Sequence, residues 1–176
     1  SKEWYSYEKK NWANSVILKD KSVVYKNGEE IPEDNIESYF VWIPRYKYKI
    51  FNTGSYTGLT TISNSTQTIE VVFENKDTTP SNGTTVGSYL THPAFTSLDV
   101  NGLWVGKFET GYDGATTTAA AQVNSVDTSK IVIKPNVYSW RNITVGNAFK
   151  NSYEYRRDLD SHMMKNTEWG AVAYLQ

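Results

Sequence analysis

The side chains that could do chemistry are few and scattered. His92 and His162 are the only histidines, and they lie far apart. His162 follows Asp160 and Ser161, the residue types of a nucleophilic triad. A triad is a spatial arrangement, however, and neighbours in sequence do not make one. Asp158, Asp160 and His162 alternate by two, a spacing that gathers ligands on one face only in a strand, whereas this region reads as loop. A metal site needs several convergent ligands. Glu168 reads as a first-turn helix carboxylate that also bonds nearby backbone, and Glu109 as a structural residue at a strand end. A glycosidase needs two carboxylates about 5–10 Å apart, and no motif here sets up such a pair. The chain has no Cys, which removes disulfides, thiolate metal sites and cysteine nucleophiles. The expectation is a non-enzymatic chain with no catalytic residues, metal or cofactor, and with ligand-binding residues that the sequence does not identify.

Charge narrows the partners. The net charge of -1 offers no basic face for nucleic acid. Two local basic runs occur, Arg156-Arg157 and Arg45-Tyr46-Lys47-Tyr48-Lys49; the latter alternates cations with rings, so a strand would place them on opposite faces. The ordinary reading is a solvated strand face; the alternative is an anion or nucleic-acid site. Aromatic residues make up 14% of the chain, with 13 Tyr and 6 Trp, which fits a compact aromatic core and, as the second choice, a binding surface. No apolar run approaches the roughly 18 residues of a membrane span. The chain opens at Ser1 without an initiator Met or a visible signal peptide, and is expected to be a fragment whose targeting segment lies upstream.

The elements that must position these residues are mostly strands. Residues 1–25 read as a small β unit, with Trp4–Tyr7, Trp12–Leu18 and Ser22–Tyr25 as strands, a turn at Glu8–Asn11, and the two Trp either stacked on each other or capping the main core. Asn27-Gly28 is a turn signal. Glu29–Ser38 reads as a turn or single helical turn. Tyr39–Phe51 is the strongest strand, with a bulge or edge at Pro44, which cannot donate to a ladder. Asn52–Thr68 reads as a long polar loop or a small excursion hairpin and Asn75–Leu90 as a polar loop, flanking a strand at Ile69–Glu74. Thr91–Phe95 is expected to be extended and Gly102–Glu109 a strand. Gly111–Asp127 is expected to be a mobile surface loop or a short strand excursion, and Ser129–Pro135 a last short strand. Two helix starts follow. Ser139 is the expected N-cap of a first helix carrying Ile143, Val145, Ala148 and Phe149, and Asn166 that of a second carrying Trp169 and Ala171–Leu175.

Three phrases then occur in order: Gly102-Leu103-Trp104-Val105-Gly106-Lys107-Phe108-Glu109, Pro135-Asn136-Val137-Tyr138-Ser139-Trp140-Arg141-Asn142, and Met164–Tyr174 with Thr167-Glu168-Trp169. They resemble the formylglycine-generating-enzyme (sulfatase-modifying-factor) branch of the C-type lectin fold, over about residues 91–176. Lys107-Phe108-Glu109 matches the family's strand, Val137, Ser139, Trp140 and Ala148 its first helix region, and Thr167, Glu168, Trp169, Ala171 and Ala173 its second helix. The family's enzymes use cysteines beyond that second helix, so the resemblance does not imply oxidase activity here. Two phrases, around Phe40–Tyr46 and Trp169–Leu175, also resemble uncharacterised surface or phage-associated proteins of Gram-positive gut bacteria.

These readings converge on an α+β fold of C-type-lectin type: a twisted antiparallel sheet, two helices, long polar loops and a small N-terminal β unit. The expected division is an N-terminal β appendage at 1–38 and a lectin-like domain at 39–176, incomplete at its C-terminus. Trp42, Trp104, Glu109, Trp140, Glu168 and Trp169 are the expected structural core. The expected function is recognition outside the cell, on a cell surface or on a virion, by adhesion or by binding a receptor or glycan. The alternative is a structural subunit of a pilus, fibre or capsid-decoration assembly. Partners would be a surface glycan or protein receptor, or neighbouring subunits through the apolar C-terminal helix.

Overall fold

The computed structural model describes residues 5–9, 11–50, 68–84 and 88–175. The expected strand at Trp4, the end of the long strand at Phe51 and most of the loop at Asn52–Thr68 lie outside them. The described chain is α+β.

Period-two apolar residues build the first sheet, whose order is β1-β2-β6. The strands are β1 (Asn14–Leu18), β2 (Ile36–Pro44) and β6 (Gly102–Gly106). β1 pairs antiparallel with β2, Val16 opposite Tyr39, and the register shifts between Ile17 and Leu18. β2 stops at Pro44, and after Arg45 the chain resumes as β3 (Tyr46–Ile50). The proline has no amide hydrogen to give, so the ladder breaks where the sequence places it. β3 is the centre of a second sheet, ordered β4-β3-β5, with β4 (Ile69–Phe73) and β5 (Leu90–Thr91) both antiparallel to it. A third sheet pairs β7 (Gly111–Tyr112) with β8 (Ile131–Val132). The helices are α1 (Pro93–Thr96), α2 (Val145–Tyr155) and α3 (Asn166–Ala173).

The chain forms two compact units: Ser1–Trp42 with Trp104–Met163, and Ile43–Leu103 with Met164–Gln176. These differ from a division at residue 38. β1 is hydrogen-bonded into the first sheet, so the N-terminal residues belong to the first unit.

Several local expectations are overturned. Ser139 does not cap a helix. The Trp140 amide donates to Thr110 O at 2.9 Å and the Arg141 amide to Ala121 O at 2.9 Å, which holds this segment extended. The Ser139 hydroxyl donates to Glu109 Oε2 at 2.6 Å. α2 starts six residues after Ser139, at Val145, under a Thr144 side chain that accepts from the Asn147 amide. Gly111–Asp127 opens with the short strand β7 and is exposed over Thr116–Ala120, but it is anchored further on: Ala121 is fully buried, and the Val123 carbonyl accepts from Trp140 Nε1 at 2.7 Å. Only Leu90–Thr91 of the stretch around Thr91–Phe95 is strand. His92 caps α1, and Pro93 occupies the first helical turn, where its missing amide costs nothing. Ser22–Tyr25 joins no sheet. Trp12 packs edge-on against Tyr7 at 6.0 Å.

The expected core also needs revision. Of its six residues, Glu168 is buried and Trp42 and Trp140 are half-buried, while Trp104, Glu109 and Trp169 are exposed. The apolar core is built instead from smaller and less conspicuous residues: Ala13, Ile36, Ala121, Ile131, Val132 and Ile133 in the first unit, and Ile43, Tyr46, Tyr48, Ala94, Phe95 and Ala171 in the second.

Candidate functional site

α2 turns its polar side inward. Asn151 is buried, with its amide donating to Ser125 O at 2.9 Å and its carbonyl accepting from the Asp127 amide at 2.8 Å. Asn147 donates to Asn124 Oδ1 at 2.9 Å on the same side of the helix. Tyr155 closes this inward face. Its hydroxyl donates to the Glu37 carboxylate, so the Ser38 hydroxyl donates in turn to the Tyr155 oxygen, at 2.7 Å. Burial, then the Glu37 hydrogen bond, raises the Tyr155 phenol well above its ordinary range, so it is a fixed donor and not a base.

The opposite side is apolar and open. Val145, Phe149 and Tyr153 are spaced four apart, so they line one face of the helix. Val145 is 75% exposed, Phe149 52% and Tyr153 41%. The Phe149 and Tyr153 rings are parallel within 6°, with centroids 6.1 Å apart. Arg157 ends the row, its guanidinium 4.8 Å from the Tyr153 ring centroid and its Nη2 donating to the Tyr153 hydroxyl at 3.2 Å. Beside it, Arg156 grips Asp158 through two hydrogen bonds, of 2.8 and 2.6 Å. The Arg156 contact lowers the Asp158 pKa. A face of this kind offers flat π surface, bordered at one end by the Arg157 guanidinium and the Tyr153 hydroxyl, to a ligand with one apolar face and a polar edge.

The first sheet carries a second aromatic group in the same unit. Trp42 and Trp104 pack at 5.2 Å, tilted by 56°, and Trp104 is 43% exposed. Tyr39 and Phe108 meet edge to face at 6.0 Å.

The second unit buries its polar groups. Arg45 is withdrawn from solvent, contrary to a solvated cation face, and its Nε meets Glu74 Oε1 at 3.2 Å. Glu74 also accepts from the Thr91 hydroxyl at 2.8 Å. Lys47 and Lys49 remain on the outer side, both over the Tyr89 ring, and Lys49 pairs with Glu70 at 3.0 Å. His92 sits among Tyr46, Tyr48, Phe95 and Tyr174. Its Nδ1 accepts from the Ala94 amide at 3.2 Å, and burial pushes its pKa down to about 4. It is a neutral capping group. Burial, with the neighbouring Tyr174, raises Tyr48 to about 12. Glu168 accepts from the Lys165 amide at 2.7 Å and so closes the first turn of α3.

His162 and His92 fall in different units, and His162 Nδ1 lies 2.8 Å from Asp160 O. Asp158 points to Arg156, so Asp158, Asp160 and His162 do not converge. Among the described residues no group of three or more His, Asp or Glu is placed to hold a metal ion, and no helix is long and apolar enough to cross a membrane.

The sequence places Val145 and Phe149 on a first helix and marks Arg157 only as part of a basic pair with Arg156; Tyr153 is not singled out. The four-residue spacing from Val145 to Arg157 was the available signal, but it cannot say which face of a helix is inward. Comparison with protein-family models, curated proteins and solved structures yields no match.

Proposed function

We propose that this chain is a non-enzymatic recognition module, extracellular and displayed on a cell surface or virion, that binds a glycan or a glycan-bearing receptor through the outer face of α2. The observation that carries this reading is the inverted helix: Asn151 and Asn147 are turned inward while Val145, Phe149 and Tyr153 face solvent. Exposing large apolar side chains while hydrogen-bonding amides inside forgoes burial, and such patches mark interaction sites. Parallel rings suit the C–H faces of sugar rings, and Arg157 supplies donors at the edge. The finer fold reading, C-type-lectin-like, is supported by the order of the three sequence phrases, which fall on or beside β6, α2 and α3. The test is glycan-array and cell binding by the wild-type chain and by Phe149→Ala/Tyr153→Ala. Binding that disappears in the double variant, with thermal stability retained, supports the reading. Binding unaffected by the double substitution, or no wild-type binding at all, defeats it.

A second reading, a structural subunit of a pilus, fibre or capsid-decoration assembly, is favoured by Trp169. This residue of the C-terminal helix is 63% exposed, although Ala171 on the same helix is fully buried. Light scattering after size exclusion decides it. Self-association lost on Trp169→Ala supports the assembly reading, and a monomer across the accessible concentration range counts against it.

A further inference from the structure

The sequence contains three Asn-Gly pairs, at Asn27-Gly28, Asn82-Gly83 and Asn101-Gly102. The fold treats them differently. In Asn101-Gly102, Asn101 Oδ1 accepts from the Lys76 amide at 2.9 Å, and its backbone carbonyl accepts from the Arg45 amide at 2.7 Å. Gly102 is buried as the first residue of β6. In Asn82-Gly83, Asn82 Oδ1 accepts from the Thr84 amide at 3.3 Å and hydroxyl at 3.1 Å. Asn82 is bridged to Leu90, and Gly83 is buried. Both side chains are tied and both backbones are held.

Asn27-Gly28 is held by its flanks alone. The Glu29 amide donates to Lys26 O at 3.0 Å, and the Lys26 amide donates to Glu29 Oε2 at 2.7 Å, which closes a four-residue turn. The two central residues are exposed, and among the described residues the Asn27 side chain makes no hydrogen bond. Gly28 has φ +91°, and among the described residues no atom beyond its own chain neighbours lies within 4 Å of the place a Cβ would occupy. Such a turn position belongs to glycine.

We infer that Asn27 is a site of spontaneous deamidation, and that of the three Asn-Gly pairs it alone is left open to this reaction by the fold. The Gly28 nitrogen attacks Asn27 Cγ. A C–N bond forms, the bond to the side-chain nitrogen breaks, and ammonia leaves with the Gly28 amide proton. Water then opens the cyclic imide at either carbonyl, giving aspartate or isoaspartate. Gly28 has no side chain to shield its nitrogen, and neither the Asn27 carbonyl nor the Gly28 amide hydrogen is engaged in the turn. The product carries one more carboxylate, so the net charge moves from -1 to -2. The isoaspartyl form also adds a methylene to the backbone of the turn, which makes it a substrate for enzymes that methylate isoaspartyl carboxylates.

The test is peptide mapping by mass spectrometry of the full chain, aged in mildly alkaline buffer in parallel with a sample aged in denaturant. In the folded sample Asn27 should convert at least about tenfold faster than Asn82 and Asn101, whose reaction waits on local opening. In denaturant the three rates should converge. Asn27→Gln should remove the fast acidic species from the folded sample and leave the slow ones. Conversion of Asn82 or Asn101 as fast as Asn27 in the folded chain would overturn the inference, as would a fast species that survives Asn27→Gln.

Discussion

Arg45 and Glu74 meet at 3.2 Å with side chains only 1% and 4% exposed, and two of their atoms, Arg45 Nη2 and Glu74 Oε2, have no hydrogen-bond partner among the described residues. The pair lies where β2 gives way to β3, just after the proline that breaks the ladder. The Arg45 amide and carbonyl are both engaged, with Asn101 O and the Glu74 amide, so the break is bridged from both sides.

Removing one partner should be far worse than removing both. Arg45→Ala or Glu74→Ala leaves a buried charge unpaired and should cost about 3–5 kcal/mol of unfolding free energy. The double replacement Arg45→Met/Glu74→Leu should recover most of that loss, because it removes two desolvated charges and their unmatched atoms together. Urea unfolding of the four proteins in a double-mutant cycle checks this. Additive losses would show that the two charges are not coupled.

His92 sets an acid limit on stability. Its pKa falls from the ordinary 6.5 to about 4 on folding, because burial opposes the charged ring. The unfolded chain therefore binds the extra proton first. The stability contribution is fully present above pH 6.5, is lost as the pH falls from 6.5 towards 4, and changes no further below 4. The loss amounts to about 3 kcal/mol. Protonation also removes the Nδ1 lone pair that accepts from the Ala94 amide. Unfolding free energy measured from pH 7.5 to 3.5 should show this step in the wild type and lack it in His92→Asn, which keeps a capping acceptor.

Two glycines should respond oppositely to the same substitution. A Cβ on Gly111 would stand 2.5 Å from Val137 Cγ2 and 3.2 Å from Val132 Cγ2, so Gly111→Ala overpacks the β7–β8 sheet and should cost about 1–3 kcal/mol. Gly146, in the first turn of α2, has nothing within 4 Å, so Gly146→Ala should stabilise by about 0.5–1 kcal/mol. Thermal melts of the two variants give the comparison. A stable Gly111→Ala would mean that β7 relaxes away from Val137.

Local chemistry carried much of the secondary structure. The break at Pro44, the turn at Asn27-Gly28, the strands β1, β3, β4 and β6, and the start of α3 with Glu168 in its first turn each rest on a few adjacent residues. Asn166 as cap was one residue late, since Lys165 holds that position. The readings that failed depended on partners distant in sequence. Ser139 looked like a cap, and the backbone of Thr110 and Ala121 made its segment a strand-like bridge. The Thr/Ala run before Gln122 looked loose, and one of its alanines is in the core.

By itself, then, the sequence determined an α+β chain, free of cysteine, near electrical neutrality, with its strand breaks and turns in place. These follow from composition and from backbone preferences that act over a few residues. Only the tertiary structure decided which side of each element is inside. It buried Arg45 and left Trp169 in solvent, and it turned the Asn151 side of α2 inward so that Phe149 and Tyr153 face out. Periodicity locates a face but does not assign it. The assignment depends on whether a residue distant in the chain, such as Glu74 for Arg45 or Ser125 for Asn151, arrives to satisfy a buried polar group.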